Sequence, residues 1–170
     1  GQYEEVLGRL GFQVGLVLPA SVSLLQLLRP MAQKELAPGS DYFFVNAERD
    51  YFSVSLVRSG DVPVLVRTLG LRSGEGTERI YAEEDLLQEI IPTAIYYREK
   101  LSGLSLERVY YRSLRPDLIH LRELLEEQFE APTEPFNLTK AVGVTRDVQL
   151  DAATADAVGA AAGAALGKAA

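Results

Sequence analysis

Residues 41–58 read Asp41-Tyr42-Phe43-Phe44-Val45-Asn46-Ala47-Glu48-Arg49-Asp50-Tyr51-Phe52-Ser53-Val54-Ser55-Leu56-Val57-Arg58, and this stretch decides the fold. Tyr42 to Val45 is a strand. Tyr51 to Val57 alternates large apolar with small polar residues, the period of two of a strand with one face toward water. Arg58-Ser59-Gly60-Asp61 is a turn, since glycine accepts the positive φ that such turns need. Val62 to Leu69 is a third strand, rich in β-branched residues. Three strands joined by short turns predict an antiparallel meander.

Upstream, Gln2 to Leu10 read as the end of a helix, with Val6, Leu7 and Leu10 at helical spacing and Gly11 as terminator. Phe12 to Leu18 read as a short buried strand. Pro19-Ala20-Ser21 open a second helix, in which Val22, Leu24, Leu25, Leu27, Leu28 and Met31 are apolar on most sides. Pro30 should kink or end it. Ala37-Pro38-Gly39-Ser40 reads as a linker.

Downstream, Arg72 to Thr77 read as a loop. A long helix follows from about Ile80 to Leu101, with Leu86, Leu87, Ile90, Ile91, Ala94 and Ile95 as its apolar stripe. Glu83, Glu84 and Asp85 suit its N-terminus. Pro92 should kink it, and Gly103 should end it. Arg108 to Arg112 is a short strand. Pro116 is expected to start another helix, with Leu118, Leu121, Leu124 and Leu125 inward. Ala131 to Asn137, with two prolines, is an edge strand or a loop. Thr139 to Thr145 form a short helix or a turn. The last 20 residues hold 11 alanines. With Gly159 and Gly163 among them, Asp151 to Gly167 should be a helix that packs closely on another element.

A chain of 170 residues makes one domain or two small ones. Hydrophobic content of 47% and charged content of 24% exclude a mainly disordered chain. No uncharged apolar run approaches the ~20 residues of a membrane span. Cysteine is absent, which excludes disulfides and thiolate chemistry and fits a reducing compartment. The net charge of -7, with scattered basic residues, argues against an electrostatic nucleic-acid surface. The chain does not begin with Met and shows no signal-peptide pattern, so an excised piece of a longer protein is expected.

A meander followed by alternating helices and strands implies an α/β fold. Its mixed sheet would carry later strands in parallel and helices on both faces. This order resembles the ribonuclease-H-like unit that is duplicated in the actin-like ATPases, a superfamily that includes sugar kinases and actin. Within it, the chain resembles the second half of the PilM-type proteins of type IV pilus assembly, and the cytoplasmic domain of the GspL-type secretion proteins. The likeness lies in several phrases. They are Gln2 to Leu7 through Gly11 to Val14, Leu18-Pro19-Ala20-Ser21-Val22-Ser23-Leu24-Leu25, and the hairpin from Asp41 to Gly60. Ile95-Tyr96-Tyr97-Arg98 and the small-residue run from Ala157 to Gly167 complete them. On this reading residues 1–38 are a lead-in from a preceding lobe, and residues 39–170 are the actin-like lobe.

The resemblance also marks where nucleotide would bind, and there the sequence departs from the pattern. The first hairpin of such a lobe carries an Asp-x-Gly-x-x-Ser/Thr turn. The acid positions metal and water, and glycine lets backbone N–H groups approach phosphate. Here the segment is Asn46-Ala47-Glu48-Arg49-Asp50-Tyr51-Phe52. Asn46 replaces the acid, there is no glycine, and Glu48 and Asp50 would repel phosphate, with Arg49 as a partial offset. The second contact, a Gly-Gly turn near adenosine, is replaced by Arg112-Ser113-Leu114-Arg115-Pro116.

Asn46, Arg49 and Ser113 are therefore the residues of a degenerate nucleotide site, and no cofactor is expected. The implied role is a non-catalytic scaffold in type IV pilus or related secretion assembly. It would be cytoplasmic, beside the inner membrane and not inserted in it, docked on the cytoplasmic tail of a membrane-anchored partner. In that family the tail is held mainly by the other lobe. The alternative is half of a functional ATP cleft, with Arg49 and Ser113 near phosphate and adenosine. A free-standing regulatory α/β domain is a third reading.

Other features have plainer accounts. His120, the only histidine, has no second ligand at metal spacing. The acidic runs Glu83-Glu84-Asp85 and Glu126-Glu127 read as solvated helix faces. Of Tyr96-Tyr97 and Tyr110-Tyr111, one of each pair should be core and the other a contact surface. Ser73-Gly74-Glu75-Gly76 lacks the Lys-Ser/Thr of a phosphate loop. The loop from Arg72 to Glu78 and the exposed tyrosines are the candidate protein contacts.

Overall fold

The computed structural model describes residues 2–11, 19–49, 51–58, 62–70, 83–103, 105–115, 117–142 and 152–166. The elements are α1 (Gln2–Arg9), α2 (Ala20–Glu35), β1 (Asp41–Ala47), β2 (Tyr51–Arg58), β3 (Val62–Gly70), α3 (Glu83–Lys100), β4 (Leu106–Ser113), α4 (Leu121–Phe129), β5 (Thr133–Pro135), α5 (Leu138–Val142) and α6 (Ala152–Leu166). The expected strand Phe12 to Leu18 and the turn at 59–61 lie outside the described residues.

The sheet has the order β3-β2-β1-β4-β5. β1, β2 and β3 pair antiparallel, as the meander predicts. β4 joins β1 in parallel, and β5 joins β4 in parallel as the short edge strand. This mixed sheet with helices on both faces is the α/β arrangement expected of a ribonuclease-H-like unit.

Two apolar layers sandwich the sheet. On one face Phe43, Val45, Phe52, Val54 and Leu56 pack with Leu86, Ile90 and Ala94 of α3 and with Leu121, Leu125 and Phe129 of α4. On the other, Tyr42, Phe44 and Tyr110 pack with Leu24, Leu25, Leu27 and Leu28 of α2, together with Leu138 and Ala162. Every residue of β1 is buried, and the interior residues of β2 are buried too. The alternation in β2 therefore separates large from small residues, not dry from wet. Ser53 and Ser55 face the α2 side and are buried because α2 covers that face, and α2 brings its own small residues, Ser21 and Ser23.

The small-residue prediction for α6 holds. A Cβ on Gly163 would lie 1.8 Å from the carbonyl oxygen of Ser23, so α6 and α2 approach backbone to backbone. Neither internal proline ends its helix. α2 continues past Pro30 to Glu35, and α3 continues past Pro92 to Lys100. Both rings sit on exposed positions. Burial of Leu27, Leu28 and Ala32 on either side of Pro30 offsets the roughly 3 kcal/mol that an interior proline costs.

Three further expectations are corrected. The helix assigned to Pro116 starts at Leu121, with His120 as its N-cap. Leu118 accepts the Leu121 N–H, and Arg115 accepts that of Leu118, so 117–120 are tight turns that bury Leu118. Ile91 and Ile95 are exposed, because α3 buries the narrower stripe Leu86, Ile90, Ala94 and Tyr97. The linker is an ordered turn: Gly39 takes φ 91, and the N–H of Ser40 closes on Ala37 at 3.1 Å. Glu107 of β4 fixes it by accepting the Ala37 N–H at 2.9 Å and the Ser40 hydroxyl. These bonds, the Ser40 hydroxyl first, hold the Glu107 carboxyl below its usual range.

Candidate functional site

β1 and β4 run parallel, so their C-terminal ends open on the same edge of the sheet. The register sets Asn46 beside Arg112 and Ala47 beside Ser113. The two segments singled out from sequence, 46–52 and 112–116, thus meet, although about 66 residues separate them.

Asn46 is fully buried. Its Oδ1 accepts an N–H from Arg112 at 2.8 Å, and its Nδ2 donates to the Tyr51 hydroxyl at 3.3 Å. The Arg112 guanidinium also pairs with the Glu48 carboxylate. A buried guanidinium requires such a counter-charge, since an unpaired one is strongly destabilising. The N–H of Glu48 closes the turn onto the Tyr51 carbonyl at 2.8 Å.

Ser113 is engaged in a local turn. Its hydroxyl donates to the Arg115 carbonyl at 3.2 Å and accepts the Arg115 N–H at 3.1 Å. Arg115 in turn pairs with Asp117, whose carboxyl is held below its usual range by that hydrogen bond. Leu114 donates to the Ala47 carbonyl at 2.8 Å and ties the two strand ends together. Arg49 is exposed on the turn beyond β1.

The structure therefore joins Asn46 and Ser113 at one strand edge. Arg112, which holds the cluster, was not among the predicted site residues. Its signal was available: an arginine that closes the aromatic run Val109-Tyr110-Tyr111 must find a partner when buried.

The remaining candidates are ordinary. Tyr97 and Tyr110 are core residues, Tyr96 is exposed and Tyr111 is half-buried. Tyr110 donates to Glu35 at 2.9 Å and links β4 to α2. His120 is exposed. Glu127 is exposed, but Glu126 pairs with Arg122 and accepts the Thr133 N–H, so it is a tie to β5 and not a solvated face. The loop from Arg72 to Glu78 and the side chains of Glu83, Glu84 and Asp85 lie outside the described residues. Among the described residues, no group of three His, Asp or Glu side chains converges, and no helix is long and apolar enough to cross a membrane.

No protein-family model matches the sequence, and no curated protein matches it. Solved structures do. A chain of a PilM-PilN type IV pilus biogenesis complex matches with a TM-score of 0.65 and 22% identity, over 98% of this chain and 57% of that one. This chain thus spans little more than half of that relative. A Bacteroides thetaiotaomicron protein with an actin-like ATPase fold and unknown function gives a TM-score of 0.44 and 12% identity, over 72% of this chain and 43% of that one. A T. thermophilus RuvC in complex with a Holliday junction substrate gives 0.37 and 9%, over 75% and 93%. The last two are too distant to carry an argument. The first establishes the fold: an actin-like, ribonuclease-H-like α/β lobe resembling the chain of that pilus complex.

Proposed function

We propose that the chain is a protein-binding scaffold lobe of a type IV pilus or related secretion assembly and does not turn over nucleotide. Its partner is a membrane-anchored assembly protein that offers a short cytoplasmic tail. Its place is the cytoplasmic side of a bacterial inner membrane. The observation that carries this reading is the fold likeness, over nearly the whole chain, to a component of a two-protein pilus complex. The strand ends lend support. Asn46 and Arg112 are engaged with one another, Glu48 answers the buried cation, and the Ser113 hydroxyl is spent on its own turn.

The test is a fluorescence-anisotropy titration of the full-length protein against labelled tails of membrane-anchored proteins encoded beside its gene. Saturable micromolar binding of one tail is expected. No binding to any of them by folded protein, together with hydrolysis of Mg-ATP, would replace the scaffold with the ATP-cleft reading.

A further inference from the structure

We propose that the outer edge of β3 is a self-pairing surface, on which two copies of this chain join antiparallel about a two-fold axis at Val66. This pairing goes beyond the scaffold reading and does not depend on it. β3 is nine residues long and ends the sheet, and among the described residues no strand lies on its outer side. Such an edge offers a row of backbone N–H and C=O groups to another strand. Val64 and Val66 are each 45% exposed there, and Thr68 is exposed beside them. The opposite edge differs. β5 has three residues, contains Pro135, follows Pro132, and exposes Glu134. Short length, proline and charge are the devices that stop edge-to-edge pairing. β3 has a proline only at its start, Pro63, next to a shift in its register with β2. From Leu65 to Gly70 it pairs regularly. Its one charge, Arg67, is drawn onto α3 by Glu89 at 2.9 Å and Thr93 at 3.1 Å.

Charge and register identify the occupant as a second copy. A net charge of -7 sets copies against each other. β3 is a strip where that repulsion is absent, since it has no carboxylate and its arginine is already paired. A two-fold axis normal to the sheet brings residues of the same face into opposition. An axis at Arg67 would oppose two like charges, which is destabilising. An axis at Thr68 would overlap only the end of the strand. An axis at Val66 overlaps the whole strand, covers the exposed Val66 with that of the second copy, and sets Arg67 against the second copy's Leu65. Opposed β-branched residues are a favourable cross-strand pair.

The test is sedimentation equilibrium of the full-length protein, with folding followed by circular dichroism. One strand pair is smaller than a standard interface, so a weak dimer is expected, with a Kd on the order of 100 μM. Val66→Lys opposes two charges at the axis and should weaken it at least about tenfold. Because the chain has no cysteine, a single thiol can then report the register. Val66→Cys should oxidise to a disulfide-linked dimer, since directly opposed strand residues meet the required spacing. Thr68→Cys should not, because four residues of strand rise, about 13 Å, separate it from its twin. A monomer at every concentration, a dimer unaffected by Val66→Lys, or equal cross-linking at both cysteines overturns the proposal. A monomer that pairs an extended peptide tail along β3 gives the edge to another partner and also overturns it. If Val66→Lys does not fold, the two cysteine variants decide alone.

Discussion

At one end of β1 the buried charge is an anion, and at the other it is a cation. Asp41, 1% exposed, accepts the Tyr97 hydroxyl at 3.0 Å and pairs with Arg58 at 3.3 Å, whose side chain is 35% exposed. At the far end Arg112 is buried and Glu48 faces outward. The first end is braced from three sides. Arg58 also donates to the Leu101 carbonyl, the Asp41 N–H bonds Ser105, and Tyr97 belongs to α3. It clamps β1 to the end of β2 and to the last turn of α3. At the second end Arg112 is held by Glu48 on the turn and by Asn46 of β1. The same strand thus has an end whose anion is fully buried and an end whose buried charge is a cation with a partly exposed counter-ion.

The largest expected effect breaks the clamp. Asp41→Ala removes the anion from a buried network and should cost about 3 kcal/mol. Arg112→Met should cost less, about 2 kcal/mol, because Glu48 can turn to water while Asn46 loses a buried donor. Urea unfolding of both variants ranks them, and a larger loss at Arg112 would reverse the comparison.

Gly103→Ala reaches the clamp indirectly. Ser102, not Gly103, takes the left-handed φ of 51 at the end of α3. Gly103 is needed for space, since a Cβ there would lie 2.2 Å from Cζ of Tyr97. Overpacking of this kind should cost about 2 kcal/mol in the same unfolding assay. A neutral result would mean that the ring has room to move and that the clamp is loose.

The smallest effect is Tyr97→Phe, about 1 kcal/mol at neutral pH. It carries a sharper signature in alkali. Burial first, and then the hydrogen bond to Asp41, push the Tyr97 hydroxyl from 10.0 up to about 12. Above pH 10 the unfolded chain releases this proton while the folded chain keeps it. The stabilisation is therefore complete below pH 10 and is lost as pH rises toward 12. Thermal melts across that window should fall less steeply for Tyr97→Phe than for wild type.

The contrast between the two ends also explains what was legible beforehand. The meander was readable because alternation and turn residues are local. The buried second face of β2 was not, since covering it takes α2 and α6 from opposite ends of the chain. The helices run on past Pro30 and Pro92 because a proline's cost is local, while the burial that outweighs it comes from the sheet. Asn46 and Ser113 were found through the resemblance, but their meeting depends on the parallel register of β1 and β4. Arg112 was passed over because its partners, Asn46 and Glu48, come from the other strand. Ile91 and Ile95 fit a helical stripe, but the sheet accepts a narrower one.

Calorimetric titration of Mg-ATP into the wild-type, full-length protein tests the central claim most directly. With Glu48 on Arg112 and Ser113 held in its turn, no saturable binding is predicted up to millimolar nucleotide. Micromolar binding that disappears in Arg49→Ala with Ser113→Ala would contradict the account and assign the strand ends to a working nucleotide cleft.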